Sequence, residues 1–251
     1  MNALAVTLIV LACVLGGAAL GMVLRKLLPA DRLSEETKDL IKLGTALLST
    51  LTALVLGLLI TSSKSSADVT ADEIKQIAAK IIQLDRNLRH YGPEANEVRD
   101  LLRRMVTTNT DMLWTGATPV RSALAQGGAN IEEIQEKLRA LAPNNDARRW
   151  LQTHALQIAT EVEQVRWLAL ERSEKSISIP FLVVLVLWLA VIFACFGLLA
   201  PRNGIIYAVI AACALSVSGA IFLILELNQP FAGLLKISDA PMRHAITEMN
   251  Q

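Results

Sequence analysis

The sequence predicts an all-α integral membrane protein, with four transmembrane helices and a helical-bundle soluble domain between the second and third spans. Four uncharged apolar stretches have the roughly 20 residues that a helix needs to cross the hydrocarbon core: Ala3–Leu24, Leu43–Ser63, Ser176–Pro201 and Asn203–Leu225. Nearly all of the charge lies between the second and third stretches, and no alternating strand pattern occurs. These observations divide the chain into 1–63 (transmembrane helices 1 and 2), 64–175 (soluble helical domain), 176–227 (transmembrane helices 3 and 4) and 228–251 (C-terminal tail).

The first span is interpreted as a retained helix. Its start carries no positive charge, and a second span follows after a short loop, Pro29 to Leu33, so it does not resemble a secretory signal. Gly17 and Gly21 place small residues on one helix face, which allows another helix to approach closely. Ser34, followed by two acidic residues, then predicts the start of a helix that continues through the second span.

The soluble segment is predicted to contain four helices and a short helical piece. Thr70 and Glu73 form a capping box for a helix that ends at Tyr91. The remaining elements are a helix from Pro93 to near Gly116, a short piece from Pro119 to Gly127–Gly128, a helix capped by Asn130 and stopped by Pro143, and a helix from Asp146 toward Lys175. The spacing of Ile74, Ile77, Ile81, Leu84 and Leu88 predicts a bundle core. Asp85, Arg86 and Arg89 are interpreted as solvated faces or subunit contacts.

Composition excludes several classes of function. The net charge of +1, with no concentrated basic face, is not typical of a nucleic-acid-binding protein. All three cysteines lie inside predicted spans and the three histidines are isolated, so no metal site is expected. Gly127–Gly128 lacks the lysine and preceding strand of a phosphate loop, and no nucleophile motif occurs. We therefore expect neither a cofactor nor an enzymatic activity.

One face of the second span suggests an ion pathway. Lysine, hydroxyl and apolar side chains recur at steps of three and four residues: Lys38, Lys42, Thr45, Ser49, Thr52, Leu56, Leu59 and Ser63. In a ring of subunits this face would form a basic vestibule and a leucine constriction, and cationic rings favour anions. The alternative is that the hydroxyls fill a tight helix interface while the lysines anchor the helix to headgroups.

Several motifs resemble the bestrophin-like domain family, four-span bacterial membrane proteins. They are Leu33–Thr37, Ile41–Gly44, Ala53–Ile60, Leu84–Arg86, Tyr91–Ala95 and Leu225–Gly233. The resemblance extends distantly to bestrophins, pentameric anion channels that carry a Pro-Phe-Gly motif after the last span. Pro230 and Phe231 match that motif, and Ala232 is inserted before Gly233. The acidic run that follows this motif in calcium-gated bestrophins is missing here, which argues against calcium gating. The aromatic neck residues of animal bestrophins are missing as well.

The resemblance implies a homo-oligomeric ring in the lipid bilayer that conducts small anions along the second span, and the bestrophins suggest five subunits. It also implies a multi-pass location in the bacterial inner membrane with a cytoplasmic soluble domain. Basic residues that flank the spans on the domain side also favour a cytoplasmic domain, whereas those in the first loop favour the opposite orientation. Glu226, at the end of the fourth span, is either a functional acid or a solvated helix end. The rival function is a non-conducting sensory or interaction protein whose helical domain binds a partner.

Overall fold

The computed structural model describes residues 3–27, 34–116, 120–173, 179–201 and 203–250. These residues form eight α-helices, and no strand occurs among them. Four of the helices are long and apolar enough to cross a membrane: α1 (Ala3–Leu27), α2 (Glu35–Tyr91), α6 (Ile179–Leu199) and α7 (Gly204–Leu227). The predicted fold class is therefore confirmed. The predictions made at Pro29 to Leu33, Pro119, Lys175 and Ser176 lie outside the described residues.

The chain divides into two compact units. The membrane unit comprises Met1–Ser66 and Ile177–Asn228, and the helical unit comprises Ala67–Ser176 and Gln229–Gln251. Helix α2 contributes its first part to the membrane unit and its second part to the helical unit. The other elements of the helical unit are α3 (Asn96–Thr115), α4 (Val120–Ala140), α5 (Asp146–Ser173) and α8 (Ala240–Met249).

Glycines bring α1 and α6 into backbone contact in the membrane unit. A Cβ built on Gly17 would lie 2.5 Å from the carbonyl oxygen of Ala190, and one on Gly21 would lie even closer to that of Ala194. The two contacts advance together along both helices, so α1 and α6 run parallel. The close approach predicted from Gly17 and Gly21 is confirmed, and α6 is the partner, because only glycine leaves room for such a crossing.

Helix α2 is continuous, so the predicted helix start at Thr70 is wrong. No glycine or proline lies between Gly57 and Gly92, and nothing in that stretch interrupts the backbone hydrogen bonds. The helix ends where Gly92 adopts a φ of 121°, a backbone conformation that L side chains rarely adopt. The predicted helix from Pro93 begins instead with a 3-10 turn, Pro93–Ala95, and α3 follows from Asn96. It ends at Gly116, as predicted, and Gly116 adopts the left-handed conformation.

Helix α4 runs without a break through Gly127, Gly128 and Asn130, where two separate pieces were predicted. Tertiary packing explains the difference. Both glycines are buried, and a Cβ on Gly128 would lie 2.5 Å from the guanidinium of Arg166. Because these glycines have no side chains, they leave room for the neighbouring arginine, and the helix continues through them.

The core of the helical unit contains the predicted isoleucines and leucines of α2. Ile74, Ile81, Leu84 and Leu88 are buried, and Ile77 packs against the same cluster. Asp85 lies on the edge of this core and is only 2% exposed, so its interpretation as a solvated residue is wrong. It accepts hydrogen bonds from Arg99 Nε at 2.9 Å and from Arg89 at 3.1 Å. A buried carboxylate requires such partners because desolvation alone disfavours its charge.

Candidate functional site

The face of α2 predicted to line a pore is largely covered by the subunit's own helices. This inner face comprises Lys42, Thr45, Ser49, Thr52, Leu56, Leu59 and Ser63. Thr45, Thr52 and Ser63 are each less than a tenth exposed, and Ser49 is half-buried. Leu56 and Leu59 pack against a cluster built from α1, α6 and α7. Of the seven residues only Lys42 is exposed, so the burial weighs against contact between this face and water.

Hydrogen bonds also tie the inner face to its own subunit. Thr52 Oγ1 donates to the carbonyl oxygen of Leu48 at 2.7 Å, and Ser63 Oγ accepts from Asn228 Nδ2 at 3.0 Å. The buried hydroxyl of Thr45 has no partner among the described residues. These contacts match the alternative interpretation made from the sequence, in which the hydroxyls fill a helix interface.

The opposite side of α2 is open in the single subunit. This outer face follows steps of four and three residues and comprises Leu43, Leu47, Thr50, Leu54, Gly57 and Thr61, all of them exposed. Leu54, near its middle, is 71% exposed. Spacing that alternates between three and four residues keeps one seam facing a common axis when identical helices pack together. The three- and four-residue spacing of this seam is present in the sequence, but the more polar inner face was the one interpreted as pore-lining.

The outer-face hydroxyls use their protons within the helix. Thr50 Oγ1 donates to the carbonyl oxygen of Ala46, and Thr61 Oγ1 donates to that of Gly57, both at 2.9 Å. A hydroxyl that donates to its own backbone has only its lone pairs left to offer outward. The outer face therefore presents hydrogen-bond acceptors between its leucines.

The start of α2 carries mixed charge. Lys38 Nζ lies 2.8 Å from Glu35 Oε1, and Lys42 Nζ lies 2.8 Å from Asp39 Oδ1. Exposed pairs of this kind contribute little to stability, but they neutralise the two lysines that were predicted to form a basic vestibule. Glu36 is a further exposed acid in the same turn. The start of α2 therefore carries more acids than lysines among the described residues.

The predicted tail motif is divided between the two units. Glu226, in the membrane unit, is buried, so the solvated helix end considered from the sequence is wrong. In the helical unit the ring of Phe231 meets that of Trp114 edge-on, with centroids 5.3 Å apart. The carbonyl oxygen of Pro230 accepts from the Ile237 amide at 2.8 Å, and Gly233 has a φ of 87°. This part of the motif is a fixed turn packed on the bundle core.

Comparison with known protein families gives a match over most of the chain. The family model of the bestrophin-like domain matches residues 12–242. No curated protein matches the sequence.

Solved structures of a bacterial bestrophin homologue from Klebsiella pneumoniae share the fold. A tryptophan-to-alanine variant has a TM-score of 0.64 at 15% identity, covering 99% of this chain and 97% of that chain. A tyrosine-to-alanine variant has a TM-score of 0.62 at 14% identity, with 96% of each chain covered. The form solved by zinc phasing has a TM-score of 0.59 at 15% identity, covering 94% of this chain and 96% of that chain.

Proposed function

Because this chain belongs to the bestrophin-like family, we propose that it assembles with copies of itself into a bestrophin-type ion channel lined by α2. The observation that carries the proposal is the open outer face of α2, on which exposed leucines alternate with Thr50, Gly57 and Thr61. Exposed apolar residues also occur on α1, α6 and α7, and lipid can cover them. A seam of large apolar and small or hydroxylated residues also suits a lumen, where apolar constrictions gate by dewetting.

The proposed constriction is a ring of Leu54 side chains from the assembled subunits. Leu54 lies one helical turn beyond Thr50 and two turns before Thr61, so a hydroxylated ring flanks it on each side. The inner face, with Thr45 and Thr52, keeps α2 packed against the rest of its own subunit. This assignment moves the pore-lining role from the inner face to the outer face.

The charge of the permeant ion divides the proposal into two forms. The family resemblance favours small anions as the permeant ions. Cation conduction is the second candidate, since Glu36 and Asp39 are exposed beside the outer face and the hydroxyls of Thr50 and Thr61 offer lone pairs. Rings of carboxylates favour cations. The reversal potential of the purified channel across a salt gradient separates the two forms by its sign.

Two pairs of substitutions test which face contacts water. In proteoliposomes, Leu54→Ser should raise ion flux by removing the apolar constriction, whereas Leu56→Ser should destabilise the subunit with little effect on flux. In a background with the three native cysteines replaced by alanine, Thr50→Cys should react with a water-soluble thiol reagent, and Thr45→Cys should react far more slowly. Greater flux for Leu56→Ser, together with faster labelling at residue 45, would restore the inner face as the lumen.

The non-conducting interaction protein remains the rival function. Native mass spectrometry of the full chain should give one closed ring, and a pentamer would match the bestrophins. A persistent monomer or dimer in lipid nanodiscs, with no flux from any Leu54 variant, would reject the channel.

A further inference from the structure

The outward face of α5 is poor in charge, and the channel proposal does not use it. This face follows steps of three and four residues, and we call it the α5 seam; its members, all exposed, are Trp150, Thr153, Gln157, Thr160, Gln164 and Trp167. The exposed positions of α3 and α4 carry many charges, among them Glu97, Asp100, Arg104, Glu132, Glu136 and Arg139. A solvated helix face is usually charged in this way, so the α5 seam needs a different explanation.

An exposed aromatic ring lies at each end of the α5 seam. Trp150 is 63% exposed and Trp167 is 54% exposed, and the two positions are about 25 Å apart along the helix. The subunit itself orders both rings: His154 stacks on Trp150 with centroids 5.1 Å apart, and the guanidinium carbon of Arg166 lies 4.8 Å from the Trp167 centroid. Tryptophan is enriched at protein interfaces, and side chains that are already ordered lose less entropy on binding. Both ends of the seam therefore suit a protein partner.

The polar side chains between the two tryptophans have complementary hydrogen-bonding groups. Thr153 Oγ1 donates to the carbonyl oxygen of Arg149 at 3.0 Å, and Thr160 Oγ1 donates to that of Leu156 at 2.9 Å. Both hydroxyls therefore have only lone pairs left to offer outward, whereas each glutamine amide carries two N–H donors. A threonine of the seam is thus suited to accept a hydrogen bond from a glutamine that faces it.

The carboxylates beside the α5 seam are hydrogen-bonded within their own subunit. Glu161 pairs with Lys80 and also accepts from Gln157 Nε2 at 3.2 Å. Glu163 accepts from Gln135 Nε2 at 3.1 Å. Because a charge that is covered must have partners, these contacts allow a neighbour to approach without supplying a cation of its own.

The order of residue types along the seam indicates which partner fits it. Steps of three and four residues are those by which the side chains of paired helices interlock. When two copies of α5 lie antiparallel about a twofold axis between Gln157 and Thr160, Trp150 faces Trp167 of the second copy, and every threonine faces a glutamine. A parallel pair would instead set threonine acceptors against threonine acceptors.

We propose that the α5 seam is a twofold contact with a second copy of this chain. In such an interface each residue of a pair meets the other residue of that pair in the second copy, so one seam supplies both halves. The tryptophans would pack ring against ring at both ends, and the glutamines would donate to the threonines between them. A single helix pair is a small interface, so the contact is weak, and covalent trapping detects it better than a mass measurement.

Disulfide crosslinking of the full chain in mild detergent tests this register. In the background with the three native cysteines replaced by alanine, Thr153→Cys is co-expressed with Gln164→Cys and oxidised with copper phenanthroline. The pair should give at least tenfold more covalent dimer than either variant alone, because like residues lie about 16 Å apart along the antiparallel helices. The matched control combines Ala125→Cys with Glu136→Cys, exposed positions of the same spacing in α4, and should give as little dimer as the single variants.

A charge at the centre of the seam gives a second measurement. Thr160→Glu places a carboxylate of each copy near the twofold axis, where like charges repel, so it should lower the yield of the 153–164 crosslink at least tenfold. Thr108→Glu, on the exposed face of α3, should leave that yield unchanged. Every substituted side chain is exposed in the single subunit, so the fold of the subunit should be retained.

Four outcomes would overturn the proposal. Dimer from Thr153→Cys alone would show a parallel contact, and equal dimer from the α4 control pair would show random collision. No dimer from the 153–164 pair, or a yield that Thr160→Glu leaves unchanged, would show that the seam does not pair. None of these measurements depends on ion conduction, so the seam and the channel can each fail without the other.

Discussion

The buried carboxylate of Asp85 gives a quantitative test of how the helical unit is held together. Asp85 accepts two hydrogen bonds from Arg99, at 2.9 and 3.3 Å, and one from Arg89 at 3.1 Å. The side chain of Arg99 is mostly buried as well, whereas that of Arg89 is partly exposed. Asp85→Asn keeps the shape of the side chain and removes the negative charge, leaving Arg99 desolvated without a counter-charge.

The expected loss is about 3–5 kcal/mol, the cost of breaking a buried ion pair. Arg89 adds under roughly 1 kcal/mol because its side chain is partly solvated. Domains are stable by only about 5–15 kcal/mol, so this change removes a large share. Amide hydrogen exchange of the full chain in detergent measures it: protection of α3 should fall by roughly 10²- to 4 × 10³-fold, since a tenfold change corresponds to roughly 1.4 kcal/mol.

Asp72→Asn is the matched control. Asp72 lies in the same helix and pairs with Lys75 at 2.8 Å, but both side chains are exposed, so the change should cost less than about 1 kcal/mol. The double variant Asp85→Leu with Arg99→Met should regain most of the loss, because replacing a whole buried pair by apolar residues is often neutral. A loss for Asp85→Asn no larger than that for Asp72→Asn would refute the reasoning.

Three further changes test other parts of the fold. Gly21→Ala should cost about 1–3 kcal/mol in detergent melts through its clash with α6, while Gly16→Ala, with open space around it, should not. Gly92→Ala should cost about 1–3 kcal/mol in the same melts because of its positive φ. The Glu94 backbone amide, then Arg148, lowers the pKa of the Glu94 carboxyl, so stability falls as pH drops through that pKa; acid titration of Arg148→Met should show a flatter loss.

The transmembrane plan could be predicted because lipid permits few structures. Each apolar stretch must satisfy its backbone internally, so hydropathy and length alone identify the spans. The spacing of Gly17 and Gly21 likewise predicted a close helix contact, since small residues let membrane helices approach each other. The sequence did not reveal that α6 is the partner. The partner depends on which helix packs with small residues, here Ala190 and Ala194, opposite the two glycines.

Local signals in the helical unit were less informative because tertiary contacts override them. Thr70 with Glu73 has the spacing of a helix start, but it lies inside a stretch with no breaker, so α2 continues. Gly127 and Gly128 look like a helix end, but α4 continues because the two positions accommodate Arg166 and border Asn109. In the second case the deciding information is the identity of a distant neighbour, which the local sequence does not contain.

The two faces of α2 show the same restriction at the candidate site. Helical spacing groups Thr45 with Thr52 and Thr50 with Leu54, but it does not say which group turns toward the subunit. Polarity suggested the first group for water, whereas burial places that group against the subunit's own helices. A membrane helix tolerates threonine on either side, because the hydroxyl can donate to its own backbone as in Thr50 and Thr52. In the proposed channel the side that meets water is set by assembly, and cysteines placed singly at residues 45 and 50 measure that property directly.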